Sequence, residues 1–148
     1  MDLERWMDEA LRLAREAGEA GEVPVGCVVV RGGEILGRGR NRREEVGSAL
    51  AHAEIEAIRE ACSRVGDWRL EGCALYVTLE PCAMCAGAIL NARIPTVVYG
   101  LREGKTGACG SVLDLFAEDF GFRPRMYGGV REAECRDLMR DFFSRLRE

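Results

Sequence analysis

The sequence predicts an α/β fold in which one mixed sheet of about five strands carries helices on both faces. Three observations lead there. Apolar residues recur at helical spacing in separate stretches, and short β-branched runs stand between them. A strand–helix–strand succession in the middle of the chain reads as a parallel crossover, while an earlier strand pair reads as an antiparallel hairpin.

Leu3, Met7, Ala10, Leu11, Ala14 and Ala17 predict a first helix with one inward face, stopped by Gly18 and Gly21. Residues 23–30 (VPVGCVVV) are short, apolar and β-branched, Gly32 and Gly33 make a turn, and residues 34–41 return as a second strand. Residues 42–50 (RREEVGSAL) show no period and predict a loop into a helix over about 51–65. Residues 73–79 (CALYVTL) predict a buried strand, Pro81 opens a helix to about residue 92, and residues 96–100 (TVVYG) predict the next strand. A glycine-rich loop from Glu103 (EGKTGACGS) leads to a short helix near 112–116, a weaker strand around 124–130 and a closing helix over 131–146. No repeat, low-complexity tract or linker interrupts this order, and the length suits a single domain spanning residues 1–148.

Hydrophobic residues at 47% and charged ones at 31% describe a globular chain rather than a disordered one. A net charge of −4 argues against non-specific coating of nucleic acid, which needs many phosphate-neutralising cations, but leaves room for a local basic patch. The first six residues (MDLERW) lack the basic-then-apolar pattern of a secretory signal, and no apolar run approaches the roughly 18 residues of a membrane span. A cytoplasmic protein without a membrane partner is the expectation. Seven cysteines, an odd number, then predict thiols used for packing or metal rather than a disulfide framework.

Two short motifs carry chemistry. His52-Ala53-Glu54 stands at the start of one predicted helix and Pro81-Cys82-Ala83-Met84-Cys85 at the start of another. Cysteines at i and i+3 share a helical face, and the positive end of the helix dipole favours their thiolates. Thiolates with an imidazole suit zinc, and three protein ligands leave the open position that distinguishes a catalytic zinc from a structural one. Zinc in such a site lowers the pKa of a water toward neutrality. Glu54, two residues from His52, is placed to take that water's proton; its other reading is a carboxylate complementing the helix dipole.

His52 is the sole histidine, so a fourth protein ligand has to be a cysteine or a carboxylate. Cys62 lies about 15 Å along the same helix at 1.5 Å per residue, and Cys73 lies near the far end of its strand. Cys109, in the glycine-rich loop, is the remaining candidate for closing the site.

H-A-E followed by P-C-A-M-C resembles the signature of the cytidine deaminase superfamily. Further segments, EVPVG at 22–26, Asn41, AHAEIEAI at 51–58, LYVTLEPCAMCAGAI at 75–89, KTGACGS at 105–111 and DFF at 141–143, resemble the bacterial tRNA adenosine deaminases within it. The resemblance implies a three-layer cytidine-deaminase-like fold, with one zinc per chain on His52, Cys82 and Cys85 and Glu54 as the catalytic proton carrier. It implies hydrolytic attack at C6 of the wobble adenosine in a tRNA anticodon, giving inosine and ammonia. Asn41 would contact the base and the Ala53 backbone N–H would help hold the oxygen at the metal. Glu103 and Lys105 would belong to the loop over the ribose and phosphate. An arginine tRNA with an ACG anticodon and a homodimer are further implications.

The chain departs from the family pattern at Glu103-Gly104 and over residues 47–50. The segment at 141–147 reads either as aromatic stacking and arginine contacts for an RNA loop or as helix core with a charged face. A free nucleobase or nucleoside deaminase of guanine or cytosine type would share the same zinc residues. A structural zinc module and a redox pair at Cys82 and Cys85 are the non-deaminase readings.

Overall fold

An apolar run such as residues 27–30 needs cover on both sides, and the sheet supplies it. The computed structural model describes residues 2–147. Its strands are β1 (Gly26–Arg31), β2 (Glu34–Arg40), β3 (Ala74–Leu79), β4 (Thr96–Leu101) and β5 (Arg125–Tyr127), in the spatial order β2-β1-β3-β4-β5. β1 runs antiparallel to β2 and β3, whereas β3, β4 and β5 are parallel, which is the mixed sheet expected.

Five helices accompany it: α1 (Leu3–Glu19), α2 (Arg43–Val46), α3 (Ala53–Val65), α4 (Ala83–Ala92) and α5 (Glu132–Leu146), with a 3-10 turn at Leu115–Ala117. Strand alternation divides the core into two layers. Val28, Val30, Tyr76 and Val98 pack with Trp6, Met7, Ala10 and Leu13 of α1. Cys27, Val29, Leu75, Val77, Val97 and Tyr99 point the other way, toward alanines 53, 57 and 61 of α3 and Ala86, Ile89 and Leu90 of α4. The small side chains of α3 let it lie close on β2: a Cβ at Gly39 would overlap the Ala53 carbonyl and stand 2.7 Å from the Ala57 nitrogen. This close approach fixes where the N-terminus of α3 falls.

Several predicted boundaries differ: the short helix expected near 112–116 is the 3-10 turn at Leu115–Ala117, the strand expected around 124–130 is confined to Arg125–Tyr127, and two further differences bear on the site. The first strand begins at Gly26 rather than residue 23, because Val23, Pro24 and Val25 form an irregular entry in which Pro24 has no N–H for a ladder and Asn41 N donates to Val25 O at 3.1 Å. The predicted loop at 42–50 contains the single turn α2. Its N-terminal N–H groups lack acceptors within the helix, and the buried Glu22 carboxylate supplies them, accepting from Glu44 N at 3.1 Å and Glu45 N at 2.6 Å. An acceptor twenty or more residues upstream leaves no trace in local periodicity.

At the other end, Arg131 donates to both Asp8 oxygens at 3.0 and 3.2 Å and thereby ties the start of α5 to α1. Among the described residues no helix is long and apolar enough to cross a membrane.

Candidate active site

The parallel crossover β3–α4–β4 opens its carboxyl edge beside the N-terminus of α3, the place where open α/β sheets bind ligands. His52 is the cap residue of α3 and Cys82 the cap residue of α4, both with extended backbone, and Cys85 sits in the first turn of α4. His52 Nδ1 lies 3.7 Å from Cys82 Sγ and 3.6 Å from Cys85 Sγ, and the three ligand atoms lie within 4.8 Å of one another. With Zn–S of about 2.3 Å and Zn–N of about 2.0 Å, a tetrahedral zinc requires ligand separations of roughly 3.5 Å. The donor set and its spacing fit that ion.

The electrostatics of the three groups reflect crowding. The hydrogen bond from Cys85 draws the Cys82 thiol down to about 4; burial opposes this and the bond to His52 adds to it. Cys85 is pushed far up, first by the same bond to Cys82 and then by burial. The bond to Cys82 also raises the basicity of His52. One proton cannot satisfy two neighbouring thiolates, whereas a divalent cation can.

Glu54 follows in the first turn of α3 and is 4% exposed. Burial pushes its carboxyl up to about 7; a bond to its own backbone N–H pulls back, the neighbouring Cys82 adds to the rise, and His52 and Cys85 oppose it. A carboxyl that exchanges its proton near neutrality suits general acid–base work.

Above these groups lies a cavity of about 250 Å³, walled by Val23, Val25, Asn41, Arg43, His52, Ala53, Glu54, Leu79, Glu80, Cys82, Glu103, Thr106, Met139 and Phe143. Asn41, Ala53 and Glu103 line the same cavity as His52, Glu54 and Cys82, while Cys85 is fully buried. Asn41 is itself anchored: its Nδ2 donates to Val23 O at 3.3 Å and its Oδ1 accepts from Arg43 N at 3.2 Å. Each amide end retains capacity for one further bond. Glu103 accepts from Lys105 N at 3.0 Å, so its carboxylate caps its own turn. The Lys105 side chain is exposed and does not line the cavity.

Cys109, the candidate fourth ligand, is buried but lies outside the cluster of mutually close ligand atoms found among the described residues. Burial, with Glu80 next, pushes its thiol far up and keeps it protonated. Phe143 lines the cavity, whereas Phe142 turns inward and meets it edge-to-face at 5.3 Å. Sequence reasoning missed Arg43, Thr106, Met139 and above all Glu80, although a carboxylate wedged between an apolar strand and a proline was a visible anomaly.

Residues 1–101 match the family described as the cytidine and deoxycytidylate deaminase zinc-binding region. The chain is 46% identical over 146 residues to the tRNA-specific adenosine deaminase of Bacillus subtilis, covering 98% of this chain and 91% of that protein. It is 51% identical over 142 residues to the tRNA(Ile)-lysidine synthase of Deinococcus radiodurans, covering 95% of this chain but only 24% of that longer protein. A solved tRNA deaminase structure, studied for A-to-I editing at the wobble position of transfer RNA, superposes with a TM-score of 0.87. It has 44% identity, with 90% of this chain and 98% of that one covered.

Proposed function

Since the chain belongs to the cytidine and deoxycytidylate deaminase family with its zinc-binding region, we propose that it is a tRNA-specific adenosine deaminase. In this reading it forms a single zinc-dependent deaminase domain. The reaction takes the wobble adenosine of an anticodon and one water to inosine and one ammonia. The observation that carries the reading is Glu54 beside His52, Cys82 and Cys85 at the floor of a cavity that Asn41, Glu103 and Phe143 wall. At about 250 Å³ the cavity lies just below the roughly 300–1,000 Å³ of ligand pockets, which suits one base taken out of its stack with the sugar and phosphate outside.

His52, Cys82 and Cys85 would hold the zinc, which when bound would supply the Lewis acidity that makes a water acidic near neutral pH. Glu54 accepts one proton of the attacking water and passes it to a ring nitrogen, where inosine keeps it; it then takes the remaining proton of the hydroxyl added at C6 and gives it to the amine, which leaves as ammonia while C6 becomes a carbonyl. Ala53, the first residue of α3, has a backbone N–H without an intrahelical acceptor, and this donor orients the reacting oxygen. The free valences of Asn41 read the purine edge. Glu103 and Thr106 border the ribose, with Lys105 outside the cavity for a phosphate.

The same reading implies an arginine tRNA with an ACG anticodon as substrate, a cytoplasmic enzyme and a homodimer. Nucleoside analysis of that tRNA after incubation with the zinc-loaded protein tests it. Inosine at the wobble position is the expected product. Turnover of free guanine or cytosine with none on the anticodon stem-loop would transfer the assignment to the nucleobase deaminases.

A further inference from the structure

The loop that follows β4 is wrapped round a carboxylate. Glu80, 3% exposed, stands between Leu79, the last residue of β3, and Pro81. Its oxygens accept the backbone N–H groups of Glu103 at 3.1 Å, Cys109 at 2.9 Å and Ser111 at 3.1 Å, together with the Ser111 hydroxyl. Gly107 closes over it, since a Cβ there would stand 2.5 Å from the Glu80 Cδ and Oε2. The loop also joins the metal-binding turn: Cys82 and Gly107 face each other in an antiparallel bridge, and Ala108 N donates to Pro81 O at 2.8 Å. Burial raises the Glu80 carboxyl, but the four donors outweigh it and leave the group below the usual carboxylate range. With four bonds accepted, Glu80 has no lone pair left for a substrate even though it borders the cavity.

We propose that Glu80 is the positioning residue of the loop at 103–111, its buried carboxylate holding Glu103 and Thr106 at the cavity wall before an RNA substrate arrives. It touches no reacting atom and acts through the loop. An unclamped loop has to be ordered at each binding event, and that entropy is lost from affinity rather than from the chemical step. The substrate in this inference rests on the RNA reading above; the clamp itself does not.

The test uses full-length, zinc-loaded Glu80→Gln and Gly107→Ala, with rates normalised to bound zinc. Glu80→Gln keeps the volume but turns an amide N–H₂ toward N–H donors, while Gly107→Ala displaces the loop with the carboxylate intact. Amide exchange at Cys109 and Ser111 should quicken by about tenfold or more in both variants. On an anticodon stem-loop the KM should rise by about tenfold, with kcat within about threefold of wild type. Glu80→Asp, which keeps the charge on a shorter arm, should fall between. Should Glu80→Gln not fold, Gly107→Ala supplies both readings alone. Unchanged amide exchange, or a kcat loss at constant KM, overturns the positioning role in favour of a purely structural one. Faster exchange in the variants, with a wild type that leaves the stem-loop untouched, upholds the clamp and overturns the RNA substrate.

Discussion

His52 Nδ1 and Cys85 Sγ stand 3.6 Å apart across 33 residues of chain, which makes the metal a tie between the first turns of α3 and α4. Replacing Cys85 by Ser should lower zinc content by at least about tenfold and abolish deamination, read by metal analysis and ammonia release. Chelation of the wild type should lower Tm. A ligand at a thousand times its Kd stabilises by about 4 kcal/mol, or roughly 8–16 °C for a domain of this size. Equal Tm values with and without zinc would show that the tie contributes nothing to folding.

Glu54→Gln should separate chemistry from metal binding. The amide cannot carry the proton, so kcat should fall by about 10²–10⁴-fold with zinc content unchanged. Because burial disfavours the charged form at this site, the neutral isostere should melt no lower than wild type. A variant retaining a tenth of the rate would remove Glu54 from the role of proton carrier.

Gly39→Ala acts from a distance. Its methyl group would collide with the Ala53 carbonyl, one residue from both His52 and Glu54. Overpacking of this kind costs about 1–3 kcal/mol, a fall in Tm of roughly 2–12 °C, and the displaced α3 should lose activity in the fraction that still folds. Wild-type kinetics in this variant would show that α3 tolerates a shift at its N-terminus.

The two phenylalanines of α5 should behave differently. Phe142 is 6% exposed, and its replacement by Ala should destabilise by about 3 kcal/mol. Phe143 is 40% exposed and faces the cavity, so Phe143→Ala should leave Tm nearly unchanged while raising KM for the stem-loop by about tenfold. Denaturation curves and steady-state kinetics on the pair decide between RNA contact and helix core for each ring.

Asn41→Ala removes the anchors to Val23 and Arg43 as well as the proposed base contact. A rise in KM with a fall in kcat is expected on RNA. Asn41→Asp keeps the acceptor for Arg43 N but loses the donor, so a kinetic defect as large as that of Ala would assign the effect to the amide N–H₂.

Much of the site was legible because its chemistry is restricted to few residue types at short spacing. His52 with Glu54, and Cys82 with Cys85, each lie within one helical turn, so local pattern was sufficient to pair them. The strands at 74–79 and 96–101 were legible from their β-branched, two-sided burial. The first strand was placed too early because Val23 and Val25 are apolar for a different reason: they wall the cavity. Phe142 and Phe143 were inseparable in sequence, since their division depends on the rotation of α5 against the sheet.

The sequence by itself determined the candidate donor set, the carboxylate two residues from its histidine and the succession of helices and strands, all of which follow from residue chemistry and local period. Only the tertiary structure decided which backbone walls the cavity. Both flanking segments, α2 and the loop at 103–111, take their shape from buried carboxylates, Glu22 and Glu80, that lie more than twenty residues away from the N–H groups they accept. A hydrogen bond between distant residues inside a low-dielectric core is strong enough to shape a loop, yet neither partner's neighbours along the chain record it.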